Sequence, residues 1–173
     1  MTDPDSSGFR RTVELSSGQR VTLRSVEPGD RDAVADGYRQ LSTSAAFERF
    51  HTLKPELARA TLDFLTEVDH RDHEAIGAVD PGFSRGVGIA RYIRSEAEPT
   101  RAEVAVVVLD DWQGLGLGRR LLEAVRDRAR DEDVTCLTAE VMSDNERMLG
   151  LLRAMGPVSL DRSGSETTAH LPI

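Results

Sequence analysis

An α/β domain built on a mixed sheet is the fold class this sequence predicts, on three observations. Val104–Leu109 is an uninterrupted apolar run rich in branched side chains, the composition of a buried strand. A glycine-alternating loop follows, then an amphipathic helix and a second apolar strand, Val134–Met142. A strand–helix–strand unit this short pairs its strands in parallel with a right-handed crossover. Near its start the chain alternates apolar and polar residues around a Gly-containing turn, as antiparallel hairpins do.

Taken in order, Met1–Gly8 is polar and Met1–Phe9 is expected to be a disordered tail, with residues 10–173 forming one domain. Thr12–Leu15 and Arg20–Val26 flank Ser16-Ser-Gly-Gln19 and read as the hairpin. Pro28-Gly29-Asp30 ends it, and Asp30 is placed to cap a helix carrying Ala33, Val34, Tyr38 and Leu41 on one face. Ser42–Lys54 reads as a short turn and helix containing Phe47, Arg49 and Phe50, and Pro55 suits the first turn of the next helix. There Leu57, Thr61, Phe64, Leu65 and Val68 recur at helical spacing, which predicts one side packed on the core. Asp69–His73 is its polar exit. Strands Ala75–Val79 and Gly86–Arg94 are joined through Asp80-Pro81-Gly82, which is turn chemistry.

Beyond the central strand and its loop, Leu121, Leu122, Val125 and Ala129 line a helix ending near Arg130. Ser143-Asp-Asn-Glu146 has capping-box spacing and opens a helix whose apolar face is Met148, Leu149, Leu151, Leu152 and Met155. Gly156-Pro157 stops that helix, and Val158–Asp161 and Thr167–Pro172 are two weaker closing strands.

Composition excludes several function classes. The formal net charge of −8 argues against a general nucleic-acid binder, which would present a basic face. No apolar run approaches the ~18 residues of a membrane-spanning helix, and no membrane partner is expected. Met1–Gly8 lacks the order of a signal peptide, so a cytoplasmic location is expected. Cys136 is the one cysteine, which rules out an internal disulfide and fits a reducing compartment; mid-strand, it reads as an apolar filler. Of the 22 basic residues only Lys54 is a lysine, a compositional habit rather than a function. His70 and His73 lack a third ligand at useful spacing, so no metal is expected and a helix-exit charge cluster accounts for them.

The loop Gln113-Gly114-Leu115-Gly116-Leu117-Gly118, followed by Arg119-Arg120, has the makings of an anion site. Glycines let the backbone turn tightly and approach a ligand. The first N–H groups of a helix have no internal partner, and the helix dipole favours negative charge beside them. No Gly-Lys-Ser/Thr follows the glycines, and their Q-x-x-G-x-G spacing differs from the dinucleotide fingerprint. That spacing resembles the acetyl-CoA pyrophosphate loop of the GNAT superfamily of N-acetyltransferases.

The resemblance covers roughly Val21 to Ile173 and is greatest to the bacterial protein lysine acetyltransferases. Four stretches carry it: Leu41-Ser-Thr-Ser-Ala-Ala-Phe-Glu-Arg-Phe50, Leu65-Thr-Glu-Val-Asp-His70, Ala102-Glu-Val-Ala105 with the loop from Asp111 to Gly118, and Asn145-Glu-Arg-Met148 with Leu151 and Gly156. It implies the acyl-CoA N-acyltransferase fold, a central mixed sheet flanked by helices. It also implies acetyl-CoA as co-substrate and a protein lysine as acceptor. A polyamine, an amino acid or an antibiotic is the alternative acceptor, and a non-catalytic acyl-CoA-binding module is the alternative in kind. A homodimer is compatible with it. No regulatory domain accompanies the catalytic one in these residues, so control in cis is not expected.

An alkyl amine has a pKa of about 10.4, so at neutral pH it must lose a proton before it attacks a thioester. From the residues alone, Glu103 is a strand-end carboxylate. The strand from Glu103 to the loop matches the reach of an extended pantetheine arm at about 3.3 Å per residue, and the resemblance makes Glu103 the general base. It further implies that backbone groups of Val106 and Val108 bond the pantetheine. Backbone donors from Gln113 through Gly114, Leu115, Gly116, Leu117 and Gly118 to Arg119 would hold the pyrophosphate, with Arg119 or Arg120 adding charge. Asn145 would contact pantetheine, and its plainer role is helix capping. Ser42, Ser44, Arg49 and His70 border the acceptor side in such proteins, where turn and helix capping is the plainer account. One departure stands out: Leu152 occupies the position where many members carry a tyrosine acid. Coenzyme A, with a thiol pKa near 8.5, can leave as thiolate with modest help.

Overall fold

The computed structural model describes residues 8–44, 57–82 and 84–173. The strands are β1 (Arg10–Glu14), β2 (Arg20–Ser25), β3 (His73–Asp80), β4 (Arg85–Arg94), β5 (Arg101–Val108), β6 (Cys136–Met142), β7 (Ser159–Ser163) and β8 (Glu166–Pro172). The helices are α1 (Arg31–Gln40), α2 (Arg59–Thr66), α3 (Leu117–Asp131) and α4 (Glu146–Met155). The strands form one sheet in the order β1-β2-β3-β4-β5-β6-β8-β7. Every pairing is antiparallel except β5 with β6, the predicted parallel crossover.

Alternation along the strands sorts side chains onto two faces. Arg91 on β4 donates to the Leu65 carbonyl of α2 at 3.2 Å, so the face with Arg91, Ala105 and Val107 lies under α1 and α2. The other face holds Glu74, which meets Arg128 of α3 at 3.4 Å. It also holds Gly88, where a Cβ would come within 3.1 Å of Leu121. Helix α3 lies that close to the sheet because the position is glycine. Leu137, Ala139, Val141, Ala169 and Leu171 are buried on this face too, with Leu149 and Leu152 of α4.

Several local expectations are corrected. Asp30 makes no side-chain bond to the start of α1; its carboxylate instead accepts from Arg24 at 2.6 and 2.7 Å and from the Glu27 N–H at 2.8 Å. The Ser143–Glu146 capping box is not formed. Asn145 is the N-cap and accepts from the Met148 N–H at 3.0 Å, while the Ser143 hydroxyl bonds Thr167 at 2.8 Å. Phe64 does not pack on the core: it is 55% exposed and lies over His73, with ring centroids 5.0 Å apart. Phe9, assigned to the tail, packs partly on the core, and its carbonyl accepts from Ser25. Met1–Ser7, Phe47, Arg49, Phe50 and Pro55 lie outside the described residues.

Candidate active site

Strands β5 and β6 pair only from Arg101 to Glu103, against Cys136 to Thr138. Beyond that point they part, and a groove of about 700 Å³ opens between them. Its walls are β5 from Glu103 to Val108 on one side, with Ala139 to Val141 of β6 and Met148 and Leu151 of α4 on the other. Glu103 is exposed and sits at the apex of the fork.

The split leaves backbone groups of β5 available. Arg101 and Leu109 bond towards β4, through Ser95 and Val87 respectively. In an antiparallel pair the bonding direction alternates, so Val104, Val106 and Val108 turn their N–H and C=O groups to the groove. The Val108 carbonyl already accepts from the Gln113 side chain at 3.0 Å. The open groups of Val106, and the Val108 N–H, can pair with an extended ligand as a further strand would.

At the wide end lies the glycine loop. Gly114 and Gly116 adopt φ values of +74° and +84°, a region where a side chain would be strained. The Leu115 carbonyl is turned away and accepts from the Ser16 N–H at 3.2 Å and the Ser16 hydroxyl at 3.1 Å. Among the described residues, the N–H groups of positions 114 to 119 make no hydrogen bond of normal geometry to an acceptor in the chain. The first intrahelical bond of α3 is Arg120 to Gly116, at 3.2 Å. A diphosphate fits such a set of donors at a helix N-terminus. Gly118 lies where a Cβ would meet Leu151 at 3.3 Å, so its small size keeps α3 and α4 close.

Not every predicted group contributes as expected. The Gln113 N–H is used by the Asp110 carbonyl at 3.1 Å, and its side-chain amide donates to the Val108 carbonyl and the Asp110 carboxylate at 3.0 and 3.1 Å. Leu117 leaves its N–H without a partner in the chain while its side chain is buried in the core. Arg119 lines the groove with its Nε donating to Glu123 at 2.8 Å; Arg120 turns to the same carboxylate at 3.4 Å. Burial pushes the Glu123 carboxyl up, but these two arginines outweigh that and hold it below its ordinary value. Asn145 lines the groove and caps α4 at once: the cap uses Oδ1 and leaves the Nδ2 donors.

The acceptor-side expectations fare differently. His70 bonds Glu74 at 3.0 Å and lines neither the groove nor the cavity under α1 and α2. Ser44 is exposed and lines neither; the Ser42 hydroxyl meets Asp110 at 3.3 Å. Leu152 is buried, Tyr92 donates to the Arg71 carbonyl and Tyr38 lines the cavity under α1 and α2, so neither tyrosine reaches the groove. Several lining residues escaped the sequence reading, Arg147 and Glu140 among them. Arg147 donates to the Gln113 side chain across the groove mouth, and Glu140 of β6 lies near Glu103. The apolar spacing of α4 and β6 marks their core faces, and the polar positions that face the split lie off that pattern.

A family model described as the acetyltransferase (GNAT) family matches residues 38–156. The chain belongs to this family. Over 146 residues it is 32% identical to Acetyltransferase Pat of Mycolicibacterium smegmatis, a match covering 84% of this chain and 44% of that protein. The chain thus spans less than half the length of that relative. It is 31% identical over 144 residues to Acetyltransferase PA5475 of Pseudomonas aeruginosa, covering 82% of this chain and 77% of that one. The GNAT domain of S. lividans PAT superposes with a TM-score of 0.88 at 24% identity, over 95% of this chain and 97% of the other, and shares the fold.

Proposed function

We propose that this chain is an acetyl-CoA-dependent N-acetyltransferase whose acceptor is a protein lysine and whose general base is Glu103. One observation carries the reading: the unpaired amides of Gly114 to Arg119 open onto a groove that ends at the Glu103 carboxylate. Coenzyme A supplies the acyl group as a thioester. The chain's own part is to bind and orient it. The loop amides would take the diphosphate, the β5 edge would bond the pantetheine amides, and the apolar wall of Met148 and Leu151 would shield the arm. Five residues at about 3.3 Å each place Glu103 roughly 17 Å from Val108, at the far end of that arm. There its carboxylate can accept the proton of an incoming ammonium group. Similarity to Acetyltransferase Pat supports the enzyme class.

The test is Glu103→Gln. Acetyl transfer to a lysine peptide should fall by at least about a hundredfold, the usual range for a lost general base. The acetyl-CoA dissociation constant by titration calorimetry should stay within about twofold. Equal loss of both, or retained turnover, removes Glu103 from the role; tight binding with no turnover by the native chain leaves only an acyl-CoA-binding module.

A further inference from the structure

The diphosphate of coenzyme A carries two full negative charges. The glycine loop meets them with N–H dipoles and the partial positive charge of a helix N-terminus, and with no full charge of its own. Arg119 and Arg120, the expected cations, are both turned to Glu123, at 2.8 and 3.4 Å. Drawing either onto a phosphate takes a guanidinium away from that carboxylate.

Arg147 is differently placed. It lies in the first turn of α4 and lines the groove on the wall that faces the loop. Its guanidinium donates to the side-chain oxygen of Gln113, so the contact crosses from one wall to the start of the loop on the other. That carboxamide is neutral, and its own Nε2 is fixed by the Val108 carbonyl at 3.0 Å and the Asp110 carboxylate at 3.1 Å. Glu146, the helix neighbour of Arg147, is engaged by Arg153 at 3.5 Å. Among the described residues no carboxylate is paired with the Arg147 guanidinium. An exposed arginine is ordinarily a solvated side chain, but this one spans the ligand groove and is held there by a neutral acceptor. Giving up an amide leaves no charge unpaired, so Arg147 trades its partner for an anion at less cost than Arg119 leaves Glu123.

We propose that Arg147 is the side-chain cation for the coenzyme A diphosphate. It leaves Gln113 and bonds the phosphate oxygens from the α4 wall, while the amides of Gly114 to Arg119 hold them from the other side. The inference rests on the coenzyme A reading above and adds to it a residue that neither the loop nor its flanking arginines supply. A planar guanidinium suits the place, because it can donate two parallel bonds to one phosphate.

The test is titration calorimetry with coenzyme A and with dephospho-coenzyme A, which keeps the diphosphate and lacks the 3′-phosphate. Arg147→Gln should raise Kd for both ligands by about tenfold. Arg147→Lys, which keeps the charge and loses the fork, should raise it less. Arg119→Gln keeps its backbone N–H and should cost less than Arg147→Gln. Gln113→Ala removes the partner of Arg147 but not the guanidinium, and should also cost less. Raising salt from about 50 mM to about 500 mM should weaken binding by the native chain more than by Arg147→Gln. Unchanged affinity in Arg147→Gln overturns the assignment, and so does a loss confined to coenzyme A, which would put Arg147 on the 3′-phosphate. A loss matched by Gln113→Ala overturns it too, since Arg147 would then only brace the loop. A lysine-peptide assay on the native chain separates this inference from the reading beneath it. Affinity that depends on Arg147 with no acetylation keeps the diphosphate contact and sinks the transferase; acetylation with affinity indifferent to Arg147 does the reverse.

Discussion

His73 shows how one side chain's surroundings fix its chemistry. Burial pushes its imidazole from 6.5 down to about 4, and the Arg91 guanidinium, bonded to Nε2 at 2.9 Å, adds to the effect. The folded protein holds this ring neutral where the unfolded chain would protonate it. Stability from this site is therefore complete above about 6.5 and is lost as pH falls towards about 4. Denaturant unfolding at pH 7 and pH 4.5 should show a loss of up to about 1 kcal/mol, solvent screening of the half-buried ring having reduced it, that His73→Gln largely abolishes. An unchanged pH dependence would dismiss the site as its source. Gly116 answers a different question. Its φ of +84° and its place in the anion loop make Gly116→Asp doubly unfavourable. The acetyl-CoA dissociation constant should rise by at least tenfold, or about 1.4 kcal/mol; unaltered affinity would refute the loop assignment.

Helix α4 carries the clearest disagreement between pattern and structure. Ser143 and Glu146 have the spacing of a capping box, yet Asn145 holds the cap, because Ser143 is drawn to Thr167 by the β6–β8 pairing. Only a long-range contact decides between two adequate caps, and a local pattern cannot see it. The two roles of Asn145 can be separated. Asn145→Ala should cost about 1 kcal/mol, read as a fall of roughly 2–4 °C in thermal midpoint. Asn145→Asp keeps the accepting oxygen and should keep the stability, while losing the amide donors and raising KM for acetyl-CoA. Equal KM in Asn145→Asp and native protein would reduce Asn145 to a cap. Phe64 is a similar lesson: helical spacing counted it with the core, but α2 turns it outward onto His73.

On the scale of the whole molecule, the order of elements and the glycine loop were legible because they rest on local chemistry: branched apolar runs, glycines at positive φ, an amphipathic helix. The parting of β5 and β6 after Glu103 was not. It comes from sheet packing in three dimensions, and it is what turns Val104–Val108 from an ordinary buried strand into the wall of a groove. Arg147 and Glu140 matter only because of that split, so nothing in their local sequence marked them. Binding of the diphosphate by free main-chain amides is the central claim, and amide NMR reads it residue by residue. Titrating ¹⁵N-labelled protein with coenzyme A should shift the signals of Gly114, Gly116, Gly118 and Arg119 first and most, with Val106 and Val108 following. If those amides stay unmoved while coenzyme A binds, or shift no more than residues of the α1–α2 face, the account is contradicted.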